Sequence, residues 1–435
     1  MNKLFVSLVL VSLAIPQRAH AFCGFYVGKA GAELYNHASK VVLVRDGKHT
    51  VLTMNNDYEG NLKDFALVVP VPTVLVKDQI HIGDKRLVDR IDNYSAPRLV
   101  EYFDEDPCER LKYKNGEADF DMLLGGGGPA TPKPDAPAHH GVKVEAEYTV
   151  GEYDIVILSA KESDGLETWL KEQGYQRPAK ASAALQPYIK QNMKFFVARV
   201  NLKEQKSTGV NYLRPIQIAY GSEKFMLPIR LGMANAKGAQ DLLVYTLTKN
   251  GRVESANYKT VNMPSGMDIP LYVKDDFAHF YASTFEQAHK KSDYRAVHTE
   301  YVWNSNSCDP CVDEPLTPDE LRGLGVYWLD QSGNNAPIIT RLHVRYDAEH
   351  FPEDLVFQET GDQENFQARY VLRHPFTGKM ECTEAAEYKK SLAPRYLQEA
   401  KALAQLTGWN SADIAKHMGA DAPPASDPWY KQIWK

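Results

Sequence analysis

An α+β fold, mainly antiparallel β modules in a sandwich-like arrangement with packed helices, is what this sequence predicts. Three observations predict it. Short runs rich in β-branched and aromatic residues recur between Gly, Asp and Pro turn signals. Helical periodicity is confined to a few separate segments. A composition of 43% hydrophobic and 24% charged residues over 435 positions can bury a large core, divided over about two or three domains.

Residues 1–21 read as a secretory signal peptide: Lys3, an apolar run over residues 4–15 and the small-residue site Ala19-His20-Ala21. The run is too short to span a bilayer as a helix. Cleavage after Ala21 is expected to leave Phe22 first, and a lipid anchor on Cys23 would need a small residue where Phe22 stands. The leader carries Lys3 and Arg18 and no acid, so cleavage moves the formal charge from -6 to -8. That mildly acidic balance argues against nucleic acid as a partner. No later window is apolar enough for a membrane helix, and a periplasmic or secreted product is expected.

Residues 22–122 form an N-terminal β-rich module with helices. Residues 40–45 and 49–54 flank Asp46-Gly47 as a hairpin. A strand over 65–69 ends at Pro70-Val71-Pro72, where proline demands an edge or a strand end. Helices are expected over 84–91 and over 97–103, the latter with Leu99, Tyr102 and Phe103 on one side. Residues 123–141, with four consecutive glycines from Gly125 followed by Pro129, Pro132, Pro134 and Pro137, read as a linker. A phosphate cradle would need a helix there, which the prolines forbid, and His139-His140 read as solvated.

Residues 142–304 form an α+β module. Strands are expected over 142–150 and 153–158 around Gly151, and then a helix from Asp164 to a stop at Gly174. A second helix over 179–190 leads into a strand over 193–200. Further strands follow over 216–220, 225–229 and 242–248, then a helix over 277–290 with Phe277, Phe280, Tyr281 and Phe285 in the core. Residues 305–410 form a C-terminal module: a helix capped by Thr317-Pro318-Asp319-Glu320, a strand over 341–346, a hairpin of 355–360 with 366–372, and a helix over 395–406 ended by Gly408. A short helix and tail occupy 411–435.

Two constellations carry chemistry. Five cysteines would remain after cleavage: Cys23, Cys108, Cys308, Cys311 and Cys382. Cys308-Asp309-Pro310-Cys311 is a structural disulfide, a redox pair or part of a metal site. Acids and Pro315 follow it where a redox pair would open a helix, and no second C-x-x-C or H-x3-H follows to complete a zinc site. Pairing Cys23 with Cys108 would tie the new N-terminus to the end of the first module and leave Cys382 odd. The second constellation is basic. Alternation places Arg341, His343 and Arg345 on one strand face, and Arg369 and Arg373 on another. Neighbouring strands would make a stripe able to hold a carboxylate or phosphate; the alternative is a solvated face paired with Asp347, Glu353 and Asp354.

The run Phe65-Ala66-Leu67-Val68-Val69-Pro70-Val71-Pro72, the Cys308–Cys311 segment with Pro315-Leu316 and Glu320-Leu321, and Arg341-Leu342-His343-Val344-Arg345-Tyr346 resemble the bacterial exported family of domain of unknown function 2330. The pattern continues through Phe351-Pro352-Glu353-Asp354-Leu355, Arg369-Tyr370-Val371-Leu372-Arg373-His374-Pro375 and Leu406-Thr407-Gly408-Trp409. The resemblance implies an envelope or secreted protein and carries no activity, cofactor or catalytic residue. Some members end in a membrane anchor, which the terminal Trp429-Tyr430-Lys431-Gln432-Ile433-Trp434-Lys435 does not resemble. The sequence has no H-E-x-x-H, G-x-S-x-G or S-x-x-K motif. The expectation is therefore a binding or structural protein without a cofactor, partnered by an envelope protein or glycan. The alternative is an exported thiol-disulfide or metal-dependent enzyme using Cys308 and Cys311.

Overall fold

The computed structural model describes residues 25–28, 39–56, 65–108, 142–161, 163–173, 175, 181–208, 212–234, 238–308, 314–330 and 335–419. The expected leader, the linker with His139 and His140, Cys23 and Cys311 lie outside them.

Strand β1 (Phe25–Gly28) precedes the hairpin of β2 (Ser39–Asp46) and β3 (His49–Asn56). Asp46 pairs with His49, and Gly47 turns the chain at φ 55°. A two-residue hairpin turn requires that left-handed backbone, which glycine adopts without a steric penalty. Strands β4 (Phe65–Val71) and β5 (Ile80–Ile82) lead to helix α1 (Lys85–Ser95), where the Asp84 carboxylate accepts from the Arg86 N–H at 2.9 Å, and to β6 (Arg98–Phe103). Next come the hairpin β7 (Val142–Val150) and β8 (Tyr153–Ala160), helices α2 (Ser163–Glu172) and α3 (Ala181–Lys190), strand β9 (Lys194–Val200) and helix α4 (Leu202–Ser207). Strands β10 (Ile216–Gly221) and β11 (Met226–Leu227) precede the single turn α5 (Arg230–Met233). Then follow β12 (Gln240–Thr248), β13 (Val253–Ser255), β14 (Lys259–Asn262), β15 (Met267–Asp268), helix α6 (Phe277–Lys291) and β16 (Ala296–Asn304). The last third holds α7 (Pro318–Gly323), β17 (Ile338–Tyr346), β18 (Leu355–Glu359), β19 (Phe366–Gln367), β20 (Arg369–His374), α8 (Glu384–Thr407) and α9 (Ser411–Met418).

These elements stack as helix, sheet, sheet, helix. A five-stranded sheet, β1-β4-β9-β8-β7, faces a nine-stranded sheet, β14-β16-β17-β12-β2-β3-β10-β5 with β19 beside β16. Alternation along each strand sends side chains both ways. Leu67, Val69, Ile155 and Ile157 of the first sheet meet Val41, Leu43, Leu242, Val244 and Val344 of the second in the central core. The opposite face of the small sheet, with Val68, Val156 and Val197, is covered by Leu166 and Leu170 of α2 and Leu185 and Tyr188 of α3. The outer face of the large sheet, with Val42, Val44, Tyr245 and Tyr301, is covered by Val88, Ile91 and Tyr94 of α1 and Leu321 of α7. A fourth cluster joins α6, α8 and α9 to the small sheet β15-β20-β6 through Phe280, Tyr370, Leu372, Leu403 and Ile414. The large sheet takes strands from every part of the chain: β2 pairs parallel with β12, and β12 antiparallel with β17.

The α+β class and its mainly antiparallel sheets match the expectation. Four local expectations are corrected. Residues 98–103 are strand β6, because parallel pairing with β20 satisfies the backbone while Leu99 and Val100 turn inward on opposite sides. The segments 355–360 and 366–372 are no hairpin: β18 pairs with β11 and β13, and β20 with β6 and β15. Each buries its apolar residues in a different core, Leu355 and Phe357 between the sheets and Tyr370 and Leu372 under α6 and α8. Helix α8 begins at Glu384 and runs through Pro394. Cys108 is bonded to Cys382, not to Cys23, which joins the segment after β6 to the one after β20, its parallel neighbour.

Candidate functional site

The predicted basic face exists, but it is not free. Arg341, His343 and Arg345 alternate onto the outer face of β17, where α1 and α6 cover them. Arg341 Nε donates to Glu300 Oε2 at 2.6 Å and its Nη1 to Asp92 Oδ1 at 2.6 Å. His343 Nδ1 lies 2.8 Å from Glu300 Oε1, and Arg345 holds Asp241 through two N–H donors at 2.7 and 2.8 Å and Glu286 at 2.6 Å. Lys40 of β2 closes the network on Asp92. Glu300 is the centre, and a β-bulge puts it there: the register between β16 and β17 shifts between Thr299 and Tyr301. The inserted residue is aimed at the same face as Tyr301 instead of alternating away.

Burial alone would neutralise these carboxyls, and their partners overcome it. Against its complete burial, the Arg341 and His343 charges hold Glu300 at about 2, and Arg341 and Lys40 hold Asp92 at about 2. Asp241 is likewise held low, against burial, by His343 and Arg345. Burial disfavours a charged His343, but Glu300 and Asp241 raise its pKa nonetheless. Four carboxylates, Asp92, Asp241, Glu286 and Glu300, then face Lys40, Arg341, Arg345 and His343. The network is neutral with His343 charged, and it offers no unpaired cation to an external anion.

Arg369 and Arg373 lie on β20, in another sheet, so the stripe is not assembled. Arg373 Nε instead bonds Asp268 at 2.9 Å. The acids expected to neutralise a solvated face are engaged elsewhere: Asp347 with His350, Glu353 with Arg230, and Asp354 with Tyr188. Asp92, Asp241, Glu286 and Glu300 were missed. A lone Glu300 in the run Ala296-Val297-His298-Thr299-Glu300-Tyr301-Val302 was the available signal, because an acid in a strand otherwise destined for burial must be paired. Cys308 is disulfide-bonded and packs beside the core under α1 and α7; its partner lies outside the described residues. Among the described residues, no group of three or more His, Cys, Asp or Glu could hold a metal ion.

An open cleft of about 390 Å³ lies at one end of the sandwich, where the β3–β10 side of the large sheet meets the β4–β9 end of the small one. Leu52, Pro70, Pro72, Met193, Tyr220 and Met226 give it an apolar lining, and Gln191, Ser222 and Lys224 a polar rim. Lys224 Nζ donates to Gln191 Oε1 at 2.6 Å and has no carboxylate partner among the described residues. Buried Arg45 fixes the floor of this rim: it donates to Thr50 Oγ1 at 2.7 Å and to the Ser222 carbonyl at 2.9 Å, and its guanidinium lies over Phe225. Pro70 lies one residue before the end of β4 and is paired with Phe195 of β9.

Fold and site together define a four-layer α+β protein with a neutralised ionic centre and a terminal cleft. The chain belongs to a family described as uncharacterised proteins conserved in bacteria, DUF2330, whose family model matches residues 17–358. That span includes the matching motifs at 65–72, 308–321 and 341–355, while those at 369–375 and 406–409 lie beyond it. Neither a curated protein nor a solved structure matches the chain.

Proposed function

We propose that this is an exported cell-envelope or secreted protein with a binding role, and that the cleft between the two sheets is its ligand site. The observation that carries the reading is the cleft itself. Its volume lies within the few hundred to a thousand Å³ typical of small-ligand sites, and its apolar lining meets a few convergent polar groups. A ligand with an apolar body and one anionic or carbonyl group suits this lining, with the group facing Lys224 and Gln191. Export is supported by the character of residues 1–21 and by disulfides at Cys108, Cys382 and Cys308, since such bonds persist in oxidising compartments.

The test is equilibrium binding of envelope extract components, read by mass spectrometry, to the full chain and to Ser222→Trp, which places an indole at the half-buried rim of the cleft. Retention by the wild type and loss in the variant is expected; equal retention by both overturns the reading. The alternative, a thiol-disulfide enzyme using Cys308, keeps one supporting observation, the oxidised state of that cysteine. A depressed thiol pKa in reduced protein would favour it.

A further inference from the structure

Helix α6 covers the large sheet at a place where three imidazoles surround one phenyl ring. His343 of β17 stacks on Phe285 with centroids 3.7 Å apart, His289 lies nearly parallel to that ring at 5.7 Å, and His298 of β16 meets it edge-on at 5.2 Å. His289 and His298 are 5.6 Å apart, and they are 2% and 1% exposed. Among the described residues, neither nitrogen of His298 has a hydrogen-bond partner, nor does Nδ1 of His289. These two side chains are buried as if they were hydrocarbons, a state that only the neutral ring tolerates.

Acids lie near the cluster, but they are committed to other cations. From β17 come His343 and Arg345, from β12 Asp241, from β16 Glu300, from α6 itself Glu286, from the turn after α6 Tyr294, and from the loop after β17 His350 with Asp347. Asp241 and Glu286 are already engaged by Arg345, Glu300 by Arg341 and His343, and Asp347 by His350. We propose that His289 and His298 form an acid-sensitive latch, whose protonation lifts α6 from β16 and β17 together with the α8 and α9 layer that packs on α6. The inference does not depend on the cleft.

The direction follows from linkage. Burial first, then the charges of Arg345 and His343, lowers His289 to about 4; burial, then His289 and His343, lowers His298 to about 3. Both are therefore neutral in the closed state. Stability is fully present above the ordinary histidine value of 6.5 and is lost as the pH falls towards 4, because the open state takes up protons the closed state refuses. The position of His289 in the last turn of α6, where the helix dipole favours a cation, does not reverse this.

Amide hydrogen exchange of the full chain at about pH 7 and about pH 4.5, corrected for intrinsic rates, tests the latch. In the wild type, α6 should lose protection by roughly tenfold or more relative to α2 and β9 at the lower pH. In His289→Phe/His298→Phe this selective loss should vanish. Uniform loss across the chain in the wild type overturns the proposal, as does a double variant that opens selectively like the wild type. Should the double variant fail to fold, His298→Leu replaces it, and the wild-type comparison of α6 with α2 decides in its own right.

Discussion

Glu300→Gln is the most informative single substitution, because it preserves shape and removes one charge at the centre of the ionic network. The side chain is fully buried and accepts from Arg341, His343 and Tyr281. A carboxyl held at about 2 instead of 4.5 contributes about 3 kcal/mol near neutral pH. Because the folded value is depressed, that contribution is complete above about 4.5 and disappears as the pH falls through about 2. Urea unfolding should therefore show the variant less stable by about 3 kcal/mol at pH 7, with roughly half that difference at about pH 3. A loss below about 1 kcal/mol at pH 7, or the same loss at both pH values, would refute the assignment of an ionised Glu300. Adding Arg341→Met should recover part of the loss, since the buried Arg341 would otherwise be left with Asp92, shared with Lys40, as its only carboxylate among the described residues.

Two further outcomes follow from the covalent and apolar frame. Cys108→Ser opens a disulfide spanning 274 positions and should lower stability by about 3 to 5 kcal/mol, read as a reduced urea midpoint, with Cys382→Ser giving the same value; unequal losses would count against the pairing. Ile157→Ala, at a fully buried site between the sheets, should cost about 2 to 5 kcal/mol, whereas Leu397→Ala on the 40% exposed surface of α8 should stay within about 1 kcal/mol.

Local signals were legible in the sequence, and long-range ones were not. The Thr317 and Glu320 capping box, the hairpin turn at Gly47 and the helix stop at Gly408 each rest on chemistry within a few residues, and all occur as expected. Strands β7, β8 and β9 were legible for the same reason. Residues 98–103 were not, because the strand exists only through pairing with β20, some 270 positions away. The alternation of Arg341, His343 and Arg345 was read correctly. What covers that face depends on α1 and α6, which approach from distant parts of the chain and bring Asp92 and Glu286 with them.

The ionic centre also bears on why the layers stack as they do. Replacing a buried network with apolar side chains of similar volume is often neutral or stabilising, so net stability is a weak reason for these charges to be buried. Their geometry points to another. Asp92 comes from α1, Glu286 from α6, Lys40 from β2, Asp241 from β12, Glu300 from β16 and the two arginines from β17. An apolar face tolerates a helix slid by one turn, because leucine packs against many neighbours. Here a one-turn slip of α1 would take Asp92 from Arg341 and Lys40, and one of α6 would take Glu286 from Arg345, leaving each arginine with only its sheet carboxylate, Glu300 or Asp241, and the network short of a negative charge. The network thus acts as a register pin that fixes both outer helices on one sheet, and the imidazole cluster at its α6 end is the part of that pin that acid can withdraw.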